Sequence, residues 1–145
     1  RGTEKDYSKA LKYLNNAVEL GNDDAHYKLG CKYYNGIGVD KDIPKAIELL
    51  EKAAKHNNPR ALYELGVIYR DDEDIKDISK SIEYLEKSSK LGYADAFLDL
   101  GNMYIKGLGV EPDQSKAIEF YESAAKLGNS HASILLRQIR KKTDK

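Results

Sequence analysis

The sequence predicts an all-α fold, an α/α superhelix built from antiparallel helix pairs, and three observations carry that prediction. Ala25, Ala61, Ala96 and Ala132 recur 36, 35 and 36 residues apart, each opening a similar block. Aligned on these alanines, AHYKLGCKYYNGIGV, ALYELGVIYRDDEDI and AFLDLGNMYIKGLGV keep Leu29/Leu65/Leu100, Gly30/Gly66/Gly101 and Tyr33/Tyr69/Tyr104 in register. A second register follows at Lys9-Ala10, Lys45-Ala46, Lys80-Ser81 and Lys116-Ala117. A unit this short cannot bury its apolar face alone, so it must stack on its neighbours as a solenoid.

The elements follow in order. A first helix over about 5–20 carries Lys9-Ala10 and ends at Gly21. The next, about 24–35, sets Ala25, Leu29 and Tyr33 at i, i+4, i+8 on one face, with Asp24 as its expected cap. The segment PKAIELLEKAAKHNN predicts a helix over about 43–56, capped by Asp42, with Ala46, Leu49 or Leu50, Ala53 and Ala54 inward. Asn58-Pro59 starts a helix over about 59–70, since Pro is tolerated in a first turn. Helices at about 78–90 and 94–106 repeat the pair, and Asp113 starts another at about 114–127. Asn129-Ser130 opens the last, at about 130–141. Gly21, Asn57, Gly92 and Gly128 share the position just past a helix, where a left-handed residue is wanted. Gly30, Gly66 and Gly101, with the small pairs at 53–54, 88–89 and 124–125, let helices approach closely. The expected organisation is one solenoid over 1–145: a partial unit at 5–21, repeats at 24–58, 59–93 and 94–129, and a terminal helix at 130–141.

Bulk composition fits a solvated scaffold. Of 145 residues, 33% are charged and 41% hydrophobic, and Lys+Arg and Asp+Glu balance at 24 each, which gives no reason to expect nucleic acid as a partner. Apolar runs are too short for membrane insertion. Cys31 is the only cysteine, so no internal disulfide forms; that favours a reducing, cytoplasmic setting without settling it. The chain opens at Arg1 and not Met, which reads as a segment of a longer protein.

The loops Asn35-Gly36-Ile37-Gly38-Val39 and Lys106-Gly107-Leu108-Gly109-Val110 fail as phosphate cradles, because a helix precedes them and no third glycine follows. They read as turns with positive φ whose Val39 and Val110 tuck back between helices. With them, the pattern A-x-x-x-L-G-x-x-Y-x-x-G-x-G-V-x-x-D-x-x-K-A, followed by K-A-A-x-x-G, resembles the Sel1-like repeat, a relative of the tetratricopeptide repeat. The resemblance runs from about Asp6 to about Ile139. It implies a right-handed α/α solenoid that scaffolds protein complexes, in a family with adaptors, signalling and host-interaction proteins and many extracytoplasmic members; an endoplasmic-reticulum lumen therefore stays open beside the cytoplasm. The family's cysteine-rich branch carries a disulfide in each repeat, which a lone Cys31 rules out here, and with it the penicillin-binding activity of some of its members. The middle unit departs from the pattern: Asp72-Glu73-Asp74-Ile75 replaces the glycine turn, one residue shorter up to Lys80. It is expected to be the weakest joint, with glycines at Asp72 and Asp74 restoring stability. Arg137 and Arg140 replace Gly and Tyr in the tail unit, as at a capping end.

Candidates for chemistry are few. His26 and Cys31, five apart on one helix, splay too far around its axis to form a nucleophile–base pair; His26 reads as a surface residue. His56 reads as a helix-end cation and His131 as solvated. The three His and one Cys lack zinc spacing. Asp71-Asp72-Glu73-Asp74 with Asp77 lacks the Gly and Glu of a calcium loop and reads as a solvated loop or an acidic patch for a basic partner. No catalytic residue, metal ligand or cofactor is assigned. Tyr33, Tyr69 and Tyr104 are core residues by register, whereas Tyr34 has no aromatic counterpart in later units and is a candidate for a functional role.

In related solenoids the first helix of each pair lines the concave side. By that resemblance the partner-binding surface comprises Asp24, Tyr27, Lys28, Cys31 and Tyr34, then Arg60, Tyr63, Glu64, Val67 and Arg70, then Asp95, Leu98, Asp99, Asn102 and Ile105. Aromatic, aliphatic and both charge signs suit a peptide or protein segment, not a phosphate backbone. The expected function is a non-catalytic interaction scaffold. The alternatives are a regulatory module of a larger enzyme or of a ubiquitin-ligase or kinase complex, and a homotypic assembly element; oligomeric state is left open.

Overall fold

The computed structural model describes residues 4–144, and these are helical with no strand. The helices are α1 (Glu4–Glu19), α2 (Asp23–Asn35), α3 (Ile43–Lys55), α4 (Pro59–Asp71), α5 (Ile78–Lys90), α6 (Ala94–Lys106), α7 (Gln114–Lys126) and α8 (Ser130–Thr143). The chain divides into two compact units, Arg1–Leu65 and Gly66–Lys145, with the boundary inside α4. In the first, α1 packs on α2 and α2 on α3, around Leu14, Ala25, Leu29 and Leu49. In the second, α5, α6, α7 and α8 pack each on the next, with Ala117, Tyr121, Ala124, Ala132 and Leu136 at one centre.

Most helix starts share one chemistry; α6 departs from it, with Tyr93 at its N-cap and no side-chain cap bond. Asn22, Asn58 and Asn129 accept through Oδ1 from the backbone N–H groups of Ala25, Ala61 and Ala132 at 2.9, 3.1 and 2.9 Å. These asparagines satisfy an orphan donor of the first turn. Asn22, not Asp24, therefore caps α2; Asp24 lies inside the first turn and pairs with Lys28 at 2.9 Å. The second helices use aspartate: Asp42, Asp77 and Asp113 each accept from the N–H three residues on, at 3.0 Å. Asp77 is thus a cap, not part of a solvated acidic patch.

One closure recurs between the helices of a pair. The carbonyls of Tyr33, Tyr69 and Tyr104 accept from the N–H groups of Asp42, Asp77 and Asp113 at 2.9, 2.8 and 3.0 Å. Over the same three rings sit the ammonium groups of Lys45, Lys80 and Lys116, 5.0, 4.9 and 4.9 Å from the centroids. The Lys-Ala register is therefore a cation–π register. Tyr69 is buried, while Tyr33 and Tyr104 are half-buried beneath their lysines and pack against the core at its edge.

The Gly-x-Gly turns take positive φ, at 67° and 75° for Gly36 and Gly38 and 69° and 71° for Gly107 and Gly109. The middle turn reaches the same closure differently. Helix α4 runs on to Asp71, Ile75 N–H donates to the Asp72 carbonyl at 3.3 Å, and Asp72 Oδ1 accepts from Asp74 N–H at 3.2 Å. Among the described residues the only non-glycine with positive φ is Asn57, so Asp72 and Asp74 occupy ordinary backbone regions. Ordinary φ at both positions argues against the expectation that glycine would stabilise this turn. Asp72→Gly with Asp74→Gly adds unfolded-state entropy and deletes the side-chain bond, so urea unfolding should show a loss of about 1–2 kcal/mol.

Candidate partner-binding surfaces

The first helices divide their surface sharply. Ala25, Leu29, Ala61, Leu65, Ala96 and Leu100 are buried and belong to packing. The neighbouring stripe stays open enough to meet a partner. In the first unit, Asp24, Lys28 and Arg60 are exposed, and Tyr27, Cys31, Tyr34, Tyr63 and Glu64 are half-buried. The Tyr27 hydroxyl hydrogen-bonds the Cys31 thiol, and Glu64 lies close enough to act on it electrostatically. Burial, then the Glu64 carboxylate, push the thiol up to about 11, with Tyr27 pulling the other way. Cys31 is therefore held as the neutral thiol near pH 7, unsuited to nucleophilic attack. Burial also raises the Glu64 carboxyl above its ordinary value. Lys41 lies 5.3 Å from the Tyr34 ring centroid, so Tyr34 is engaged by its own loop.

Two histidines differ from expectation. His26 is buried, because Nδ1–H donates to the Asn22 carbonyl at 2.8 Å across the first turn of α2. His56 does follow the end of α3, but its ring meets the Asp23 carboxylate at the start of α2. With Asp24, Asn58, Pro59 and Arg60 this pair lines an open recess of about 410 Å³. A further recess, about 440 Å³ on α1, includes Tyr13 and Leu20, which are 75% and 88% exposed. Neither was foreseen on the sequence, although Tyr13 and Leu20 are seven apart, two turns along one helix.

The second unit builds a better-defined cleft, of about 380 Å³, between the end of α4 and α6. Arg70 lines it and holds two carboxylates. Nε and Nη2 donate to the two carboxylate oxygens of Asp71 at 2.7 and 3.0 Å, and Nη1 donates to Asp99 Oδ2 at 2.8 Å. Of the fifteen sequence candidates Asp99 is the one that is buried. Asp71 holds its carboxyl below the ordinary range, chiefly because Arg70 hydrogen-bonds it. Asn102 accepts from the Tyr121 hydroxyl at 2.7 Å through Oδ1, which leaves its amide N–H groups for the cleft. The cleft thus unites Arg70, Asp99 and Asn102 from the expected surface. It adds Asp71, Lys76, Met103, Lys106 and Leu108, which sequence reasoning had not placed there. Lys106 follows Asn102 by one turn and Asp99 by two, a helical stripe that could have revealed it. Of the remaining candidates, Val67 and Leu98 are half-buried and Ile105 is exposed. Asp95 is exposed and accepts from Asn129 Nδ2 at 3.0 Å.

The acidic run is committed within the chain. Asp71 serves Arg70, Glu73 pairs with Lys76 at 3.3 Å, Asp72 stabilises its own turn and Asp77 caps α5. Among the described residues no three His, Cys, Asp or Glu side chains converge as a metal site, and no helix is long and apolar enough to cross a membrane.

Paired helices in a repeating register, each pair closed by the same tyrosine, aspartate and lysine, define an α/α repeat. The Sel1 repeat model matches residues 1–22, 23–58, 59–93 and 94–129, and the chain belongs to the Sel1 repeat family, whose members are typically protein–protein interaction modules on a non-catalytic repeat scaffold. Among solved structures, a Sel1 repeat protein from Oxalobacter formigenes aligns with a TM-score of 0.85 at 30% identity, over 91% of this chain and 54% of its own. The protein c5321, a protective antigen of uropathogenic Escherichia coli with an SLR fold, aligns at 0.82 and 32% identity, over 88% of this chain and 28% of its own. Helicobacter pylori cysteine rich protein B aligns at 0.72 and 28% identity, over 93% and 98%. This chain thus spans about half of the first protein's length and under a third of the second's. No curated protein matches it.

Proposed function

We propose that this chain is a non-catalytic scaffold that holds a segment of a partner protein against the open stripe of its first helices. The observation that supports it most is the Arg70–Asp99–Asn102 cleft, where both charge signs and an amide border the apolar Met103 and Leu108. Such a surface offers backbone-matching hydrogen bonds beside side-chain pockets, which is what an extended or helical peptide uses. In the first unit, Tyr27, Tyr34 and Tyr63 supply aromatic area at low rotamer cost, with Arg60 exposed beside them.

The test takes a partner captured by the unaltered chain, purifies it and measures affinity by calorimetry. Arg60→Ala with Tyr63→Ala should keep far-UV helicity while weakening the complex by about 2 kcal/mol, roughly thirtyfold. An affinity unchanged by the pair of substitutions removes the first-helix stripe as the binding surface.

A further inference from the structure

The repeat register sets Glu64 of the first unit in the same column as Asp99 of the second. Both are acids on the open flank of a first helix, and both are at least half-buried. Their counter-charges differ. Asp99 receives the Arg70 guanidinium at 2.8 Å. The column that supplies Arg70 is filled in the first unit by Tyr34, which carries no charge. Lys28, a turn from Cys31, is committed to Asp24 at 2.9 Å. Among the described residues Glu64 makes no ion pair. It lies close enough to the Cys31 thiol, itself bonded to Tyr27, to act on it, and burial holds its own carboxyl up.

A partly desolvated carboxylate without a counter-ion costs folding free energy, and a cation that arrives with a ligand recovers it. A planar guanidinium suits this better than an ammonium: it is the group that serves Asp99, it is weakly hydrated, and it stacks on aromatic rings such as Tyr27. Charge complementarity therefore selects the occupant. We propose that Glu64 is the seat for an arginine side chain of the partner segment, which makes in trans the ion pair that Arg70 makes with Asp99 within the chain. The proposal rests on the scaffold reading and gives it a recognition element: a segment with arginine at the position that meets Glu64.

The probe is acetyl-Gly-Arg-Gly-amide, with its citrulline counterpart as the uncharged isostere, titrated into the full chain and followed by NMR at the Glu64 side-chain carboxyl. The arginine peptide should shift that signal saturably, and the citrulline peptide should bind about tenfold more weakly or worse. Glu64→Gln should abolish the response of the Tyr27 and Cys31 amides to the arginine peptide. It should leave the melting temperature unchanged or raised, because it removes a desolvated charge. Equal responses to the two peptides at Glu64, or an undiminished response in Glu64→Gln, overturn the assignment. Should that variant fail to fold, the arginine–citrulline contrast on the unaltered chain decides by itself. Loss of the arginine response while Arg60 and Tyr63 still govern partner affinity overturns the Glu64 seat alone. A retained arginine response with partner affinity indifferent to Arg60 and Tyr63 overturns the broader surface.

Discussion

Arg70→Met is expected to destabilise the fold by about 3 kcal/mol at neutral pH, read by urea unfolding of the full chain. The guanidinium donates to Asp99 Oδ2 at 2.8 Å, and the Asp99 side chain is 12% exposed, so its loss takes a charge-assisted hydrogen bond and the opposite charge from a carboxylate that water barely reaches. Methionine keeps most of the apolar stem, so the loss reports charge rather than volume. Asp71, with a side chain 55% exposed, contributes much less to that figure. The sign of the pH dependence follows from Asp71. Its folded carboxyl is held below the ordinary carboxylate value, so the stability it adds is present above that value and is lost as pH falls through the depressed one. The unaltered chain should therefore lose stability towards about pH 3, and Arg70→Met should lose less of it over the same range. Replacing both members, as in Arg70→Met with Asp99→Leu, should recover most of the stability, because two well-packed apolar groups need no counter-charge. A single substitution as costly as the double would show that Arg70 acts by packing instead.

How far this reached from the sequence depends on the kind of signal. Helix starts were legible because they rest on local chemistry: Asn58-Pro59, Asp42 and Asp113 sit where the first turn needs an acceptor. Asp77 does the same work at the same offset, yet it was obscured by the acids before it. The middle turn was read as a damaged glycine turn, since a pattern shows which residues are missing but not which other backbone path closes the loop. Tyr69 and Asp77 are eight residues apart, against nine for Tyr33–Asp42 and Tyr104–Asp113, and a turn of ordinary φ bridges the shorter span. Pairing between helices was the least legible. Arg70 and Asp99 are 29 apart and His56 and Asp23 are 33 apart, so only packing brings them together. His26 was misplaced for a smaller reason, that its own first turn offers a carbonyl which lets the ring go under. The first-helix stripe itself was legible as a column pattern; which of its charges are already satisfied was not.

Gly101→Ala should have the other large effect, a loss of about 2 kcal/mol and a fall of about 6 °C in melting temperature. An added Cβ would stand 2.5 Å from Tyr121 Cε1 and 2.7 Å from Cδ1, well inside contact distance. Tyr121 cannot swing aside cheaply: it is 2% exposed, and its hydroxyl is tied to Asn102. Alanine's better helix propensity, about 1 kcal/mol, offsets part of the clash. Gly30 and Gly66 hold the same column, but there the new atom would meet Leu50 Cγ at 2.9 Å or Leu85 Cγ at 2.7 Å. An aliphatic chain can shift rotamer more easily than a hydrogen-bonded ring, so Gly30→Ala and Gly66→Ala should each cost less. Gly101→Ala should also disturb the cleft, because displacing Tyr121 frees the Asn102 amide that borders it. Thermal melts of the three variants would give the order directly. If Gly101→Ala melts with or above the other two, Tyr121 yields where the packing says it should not, and the ring is no fixed support for Asn102.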